Sequence, residues 1–207
     1  MNVAVRLSLL LCTAMVLAAG DGHLFFSRTF PGSAPPYIEV RVEATGDAEY
    51  REATDEELPV KFKLSDEEIA TVFGLVEKLD YFRHPLESPA KVAFMGTKLL
   101  RYEGDKAKGE VKFNYSEDVT AQTLLEWFER MAESAELHID LERAAKYDHL
   151  GVMKALVALD AALDGHQVVA AGQFLPLLER IANNETYMHT ARTLAADLAG
   201  AIRNPKK

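Results

Sequence analysis

The spacing of apolar residues changes for good partway along this chain, and that change decides which folds are open to it. Ile38, Val40 and Val42 alternate with Glu39, Arg41 and Glu43. Val60, Phe62 and Leu64 alternate with Lys61 and Lys63, and Val111, Phe113 and Tyr115 with Glu110, Lys112 and Asn114. A period of two puts every second side chain on one face, so these segments read as strands with one buried and one wet face. Beyond "SED" at 116–118 the period becomes helical. Leu124, Leu125, Phe128, Met131, Ala132 and Ala135 form one apolar stripe. Val152, Ala155, Leu156, Leu159 and Leu163 form a second, ending at Gly165. Phe174, Leu177, Leu178 and Ile181 form a third, ending at Asn183–Asn184, and Tyr187, Ala191, Leu194, Ala195, Leu198 and Ile202 a fourth. Strands followed by helices, rather than strands alternating with them, mean an α+β fold. We expect antiparallel β-hairpins with one helix, followed by a four-helix C-terminal region.

Local signals divide the first part further. "HLFFSRTF" at 23–30 is apolar enough for a strand, and Pro31, Pro35 and Pro36 make the next segment a stiff loop. "TGD" at 45–47 turns a hairpin, with Gly46 free to take positive φ. Ser65 and Glu68 stand at the spacing of a capping box, and Leu64 and Ile69 at that of a hydrophobic staple, so a helix should run from Asp66 to about Phe82. "RHPLESP" stops it. A second hairpin is expected with one arm over 91–103, a bulge at Gly96, a turn at "GDKAKG" and a return through Phe113. The coarse order is β-β-β-α-β-β and then four helices. Residues 21–118 form an antiparallel α+β unit, and residues 119–207 a helical region packed on it.

Residues 1–20, "MNVAVRLSLLLCTAMVLAAG", have another character. Arg6 is the one charge, an apolar run from Leu7 to Ala19 follows, and Ala18, Ala19 and Gly20 are small. This reads as a signal peptide cleaved before Asp21. The alternative, a retained anchor, is disfavoured because a membrane-spanning helix needs about 20 apolar residues. Removing the segment removes the only cysteine, Cys12, and takes the formal charge from −9 to −10. The secreted chain then has no thiol for a disulfide or a nucleophile. Its acidic balance disfavours nucleic acid, whose phosphates call for Lys and Arg. The expected location is the periplasm or the medium, with no stable membrane insertion after cleavage.

The stretch most like chemistry is "ELHIDLERAAKYDH", residues 136–149, with two histidines and four carboxylates. In a continuous helix His138 and Glu142 are one turn apart. His149 lies eleven residues beyond His138, roughly 16 Å along the axis at about 1.5 Å per residue. Zinc–nitrogen bonds are about 2 Å, so one ion cannot take both histidines, and a catalytic zinc wants three protein ligands. Glu142 and Lys146 stand at the i,i+4 spacing of a wet helix face. We therefore expect a solvated or partly buried helix surface, no metal, and a core face that fades or switches near Ala135. There is no H-E-x-x-H, no G-x-x-x-x-G-K and no G-x-S-x-G. Ser33 has no identifiable base, and His23, His84, His166 and His189 are scattered. "NYS" at Asn114 and "NET" at Asn184 have the form of glycosylation acceptors, and we read them as chance matches. No catalytic, cofactor-binding or metal-binding residue is assigned, and no cofactor is expected.

The strings "FFSRTFPGSAPPYIEV", "VKFNYSEDVTAQTLLEWFER" and "KYDHLGVMKAL" with "QFLPLLERIA" resemble a group of secreted bacterial proteins of uncharacterised activity. The resemblance covers nearly all of the chain after residue 20. It implies a bacterial source, an exported location and a helical part that belongs to one architecture with the sheet. It transfers no ligand and no catalytic residue.

The sequence thus points to an exported, non-catalytic binding or interaction module, with an unknown protein or small molecule as ligand. The alternative is a hydrolase using the carboxylates and histidines of residues 136–149. A concave pocket with converging polar groups would favour the enzyme. An exposed apolar patch or an open sheet edge would favour the module.

Overall fold

The structure is a computed structural model that describes residues 22–105 and 107–205. The expected signal peptide lies outside the described residues. Six strands form one antiparallel sheet: β1 (Gly22–Thr29), β2 (Tyr37–Glu43), β3 (Asp47–Arg51), β4 (Val60–Lys63), β5 (Thr97–Gly104) and β6 (Lys108–Phe113), in the spatial order β4-β3-β2-β1-β5-β6. Helix α1 (Asp66–Lys78) joins β4 to β5. Helices α2 (Val119–Tyr147), α3 (Val152–Asp164), α4 (Leu175–Ala182) and α5 (His189–Arg203) follow the sheet. The fold is α+β with the expected four C-terminal helices. Four strands precede α1 where the coarse order had three, because both arms of the central hairpin and the "VKFK" segment each form a strand of their own.

The register explains which face is buried. Phe26 stands opposite Val40 on β2 and Leu100 on β5, Val40 opposite Tyr50, Val42 opposite Ala48, and Leu100 opposite Val111. All are buried on one face, under Val72, Leu75 and Val76 of α1 and Ala121, Leu124, Phe128, Met131 and Ala135 of α2. Phe128 stacks on Phe26 with ring centroids 4.6 Å apart. The other face is polar. There Arg41 and Arg101 flank the Phe25 ring at 5.7 and 5.1 Å, and Glu39 accepts hydrogen bonds from Tyr37 (2.6 Å), Arg41 (2.8 Å) and Arg51 (3.0 Å). Glu39 is only 5% exposed, and these three donors satisfy a carboxylate that would otherwise be costly to bury.

Helix α1 begins as its sequence requires. The Ser65 hydroxyl accepts from the Glu68 amide, and the Glu68 carboxylate accepts from the Ser65 amide at 2.7 Å. It ends earlier than expected, at Lys78 rather than Phe82. Asp80, Tyr81 and Phe82 all take left-handed φ values of 49°, 54° and 64°. That conformation is costly for residues with a Cβ. Here it buries Phe82 and tilts Tyr81 against Tyr102, with ring centroids 4.9 Å apart. Gly109 makes the turn possible, because a Cβ there would lie 2.2 Å from the Tyr81 carbonyl oxygen.

Helix α2 belongs to two cores. Its first turns cover the sheet. Leu141 and Ala145 instead join a second buried cluster with Val152, Leu156 and Leu159 of α3, Leu177, Leu178 and Ile181 of α4, and Ala191, Ala195 and Leu198 of α5. The buried stripe moves around α2 by about 120° between Ala135 and Leu141, at roughly 100° per residue. The α3–α4 linker ties the clusters together. Val169 and Ala170 are buried in the sheet-side cluster. The Val169 amide donates to the Ser134 hydroxyl at 2.9 Å, and the Ala170 amide to the Glu68 carboxylate at 2.9 Å. Among the described residues no helix is long and apolar enough to cross a membrane.

Candidate functional site

The end of the sheet where β1 and β6 finish and β5 starts carries the most unusual surface. The expected strand over 91–103 begins only at Thr97, and residues 83–96 have no regular structure. Instead of a bulge, Gly96 takes φ +90°, and a Cβ there would lie 2.9 Å from the Cβ of Phe30. The segment is nevertheless fixed from beneath. The Ser88 amide donates to the Tyr115 carbonyl at 2.8 Å, the Glu87 carboxylate accepts from the Asn114 amide at 2.6 Å, and the Asn114 side chain bonds the Met95 amide at 2.6 Å and the Ala93 carbonyl at 3.1 Å. The Lys98 ammonium is buried and donates to the carbonyls of Asn114 (2.7 Å), Met95 (3.1 Å) and Gly96 (3.4 Å). Burial lowers its pKa, while Glu129 acts in the opposite direction. On this pinned backbone Val92, Phe94 and Met95 are 40%, 56% and 49% exposed, and Phe94 meets Phe30 edge-on at 5.8 Å.

The stretch 136–149 is helical to Tyr147, and its residues go to three different places. His138 enters a cleft of about 440 Å³ between the β4 edge and the α3–α4 linker, lined also by Asp47, Lys61, Phe62, Lys63, Gly172 and Gln173. Its ring meets Phe174 at 5.6 Å. Burial lowers the His138 pKa, the Glu142 carboxylate pulls it up, and Arg180 pushes it further down. The imidazole is therefore neutral near pH 7. Glu136 turns to the sheet, where the Tyr50 hydroxyl lies 3.1 Å from it and 3.4 Å from Glu52. Burial raises the Glu136 pKa, and it raises that of Tyr50. Asp140, Arg143, Tyr147 and Asp148 line a groove of about 370 Å³ between α2 and α3. His149, beyond the helix, stacks on Tyr187 at 4.9 Å. The two histidines thus rest on different aromatic rings. Among the described residues no three His, Cys, Asp or Glu side chains stand where they could share a metal ion.

Of the serine and scattered histidines noted in the sequence, Ser33, His23 and His84 have local partners. The Ser33 hydroxyl lies within hydrogen-bond distance of the Phe30 (2.8 Å) and Pro35 (2.6 Å) carbonyls, holding the proline loop. His23 pairs with Glu43, and His84 with Asp80 at 3.0 Å. The residues that sequence reasoning missed are Val92, Phe94 and Met95. Their signal was an unbroken apolar run, "VAFM", where a half-buried strand would alternate. No family model matches the chain, and no curated protein compared with it is a match.

Proposed function

We propose that this chain is an exported, non-catalytic binding module that contacts another exported protein through the Val92–Met95 tip. The observation that carries this reading is the contrast within that segment: a backbone pinned by hydrogen bonds to Asn114 and to the buried Lys98, and apolar side chains left in water. A long loop without regular structure is uncommon unless it has a role. A preorganised one loses little entropy on binding, and Phe and Met suit an interface core. The resemblance to secreted bacterial proteins and the apolar segment at 7–19 support export. The test is a photo-crosslinking residue at position 94 in the bacterial producer. A discrete adduct with one exported protein, absent when the probe stands at the more exposed Leu58, is expected. Equal adducts from both positions, or none from position 94, contradict the proposal.

The His138 cleft favours a second reading, hydrolysis. It offers a neutral imidazole as a base, but the residues lining it include no Ser, Thr or Cys nucleophile. Only direct attack by a water activated at His138 fits. Hydrolysis of a chromogenic ester that is lost in His138→Ala, with its fold intact, would establish this reading over the first.

A further inference from the structure

The groove between the second half of α2 and α3 shares no lining residue with the Val92–Met95 tip, and Leu137, Ala144 and Ala155 along it also pack on the helix-side cluster. Its apolar lining is Leu137, Ala144, Gly151, Ala155 and Ala158. Two large apolar residues, one lining the groove and one next to its Gly151 in the chain, are left in water. Tyr147 is 73% exposed and Leu150 79%. Val157, 49% exposed, stands at i+3 from Lys154 on the outer side of α3. Acids and bases mix around this apolar strip. Asp140 and Asp148 line the groove with Arg143 and Lys154, and Asp140 pairs with Arg143 at 3.3 Å.

The charge balance indicates the occupant. The whole chain is at −9, so most of its surface repels a second copy. Residues 137–158 carry Asp140, Glu142 and Asp148 against Arg143, Lys146 and Lys154, which makes the segment neutral. A two-fold interface must be complementary to itself, with each residue of the patch meeting a partner from the same patch. A patch bearing both signs around apolar residues meets that condition, and a patch of one sign does not. Two helical hairpins packed groove to groove also make a four-helix arrangement, the common way for such hairpins to bury an outer face. We infer that the α2–α3 groove is the contact surface of a homodimer, with Tyr147 and Leu150 at its apolar centre and Lys154 of each copy facing Asp140 of the other.

Sedimentation equilibrium of the secreted chain across the micromolar range tests this. A monomer–dimer equilibrium is expected. Leu150→Asp should weaken it by about tenfold or more, with the far-ultraviolet circular dichroism unchanged because Leu150 packs little within its own chain. Leu58→Asp, an equally exposed apolar site elsewhere, should leave it unchanged. Lys154→Glu should also weaken association, and Lys154→Glu with Asp140→Lys should restore it, which distinguishes a charge-matched contact from general stickiness. A monomer throughout overturns the inference. So does a dimer indifferent to Leu150→Asp, or a double variant no better than Lys154→Glu.

Discussion

The sheet side and the helix side of this protein reach a buried core by different routes. On the sheet side, each strand carries its own pattern, each neighbouring pair is fixed by hydrogen bonds, and α1 comes with its own cap. On the helix side, α3, α4 and α5 have only 13, 8 and 15 residues. Helices of that length are marginal alone in water and persist only by packing. The helices α4 and α5 pack on each other and α5 on α3, while α3 packs on α2; Leu141 and Ala145, near the end of a helix that starts on the sheet, join the cluster they form. The 29 residues of α2 therefore act as one beam shared by two cores. Our account is that this beam, with the contacts of Ser134, Val169 and Ala170 beside it, makes the two regions one cooperative unit.

The largest expected effects come from a matched pair of truncations, one in each core. Phe128→Ala removes a fully buried ring stacked on Phe26, and Phe174→Ala a fully buried ring in the helix-side cluster. Each should cost about 3–5 kcal/mol in urea unfolding. The informative point is that both should lower one shared transition. A separate early transition in Phe174→Ala alone would show that the helix side unfolds by itself.

Ser134→Ala acts at the join. It removes the acceptor of the buried Val169 amide, so about 1–3 kcal/mol should be lost, the range for leaving a buried donor unpaired. A loss confined to the helix side, with the sheet-side signal unmoved, would weaken the idea of shared cooperativity. Ser65→Ala acts at the start of α1, whose Glu68 also accepts from the Ala170 amide. Loss of the α1 cap should cost about 1 kcal/mol, read as a shift of the urea midpoint with no change of slope. An unchanged midpoint would mean that the capping box contributes nothing measurable.

The smallest effect concerns pH. Burial lowers the His138 pKa below its ordinary value of 6.5, so the unfolded chain binds this proton more readily than the folded one. Stability from this group is full above pH 6.5 and declines as pH falls from there through the folded value. His138→Leu should flatten that decline in urea midpoints measured just below pH 6.5. An equal decline in both proteins would place the cause in a group other than His138.

Much of this arrangement can be read from short stretches. Alternation at 38–42 and 60–64 marks buried strand faces, Ser65 and Glu68 mark a helix start, and Gly165 and Asn183 mark helix ends, because each signal acts over a few residues. The left-handed turn at 80–82 has no such signal. Three residues with side chains adopt a conformation that they disfavour, and what fixes it is Gly109, 27 residues along the chain. The strand expected over 91–96 failed for a related reason: "VAFM" has strand-like composition, but the hydrogen bonds of Asn114 and Glu87 hold it as a loop. The switch of face near Ala135 was visible as a break in the stripe. What the sequence did not reveal was the second cluster that Leu141 joins, since its members come from three later helices. His138 lies on α2 between the two stripes, which is why it is half-buried and why its histidine–carboxylate neighbourhood looked like a site.

Trp127 is the single tryptophan, on α2 and packed against the sheet-side cluster, whereas far-ultraviolet circular dichroism is dominated by helix, most of it in α2 to α5. Urea unfolding of residues 21–207 followed by both signals tests the central claim most directly. If α2 binds the two regions into one unit, the two curves coincide in midpoint and slope. If helical signal is lost at lower urea while the Trp127 fluorescence keeps its native value, the regions unfold separately and the claim is wrong.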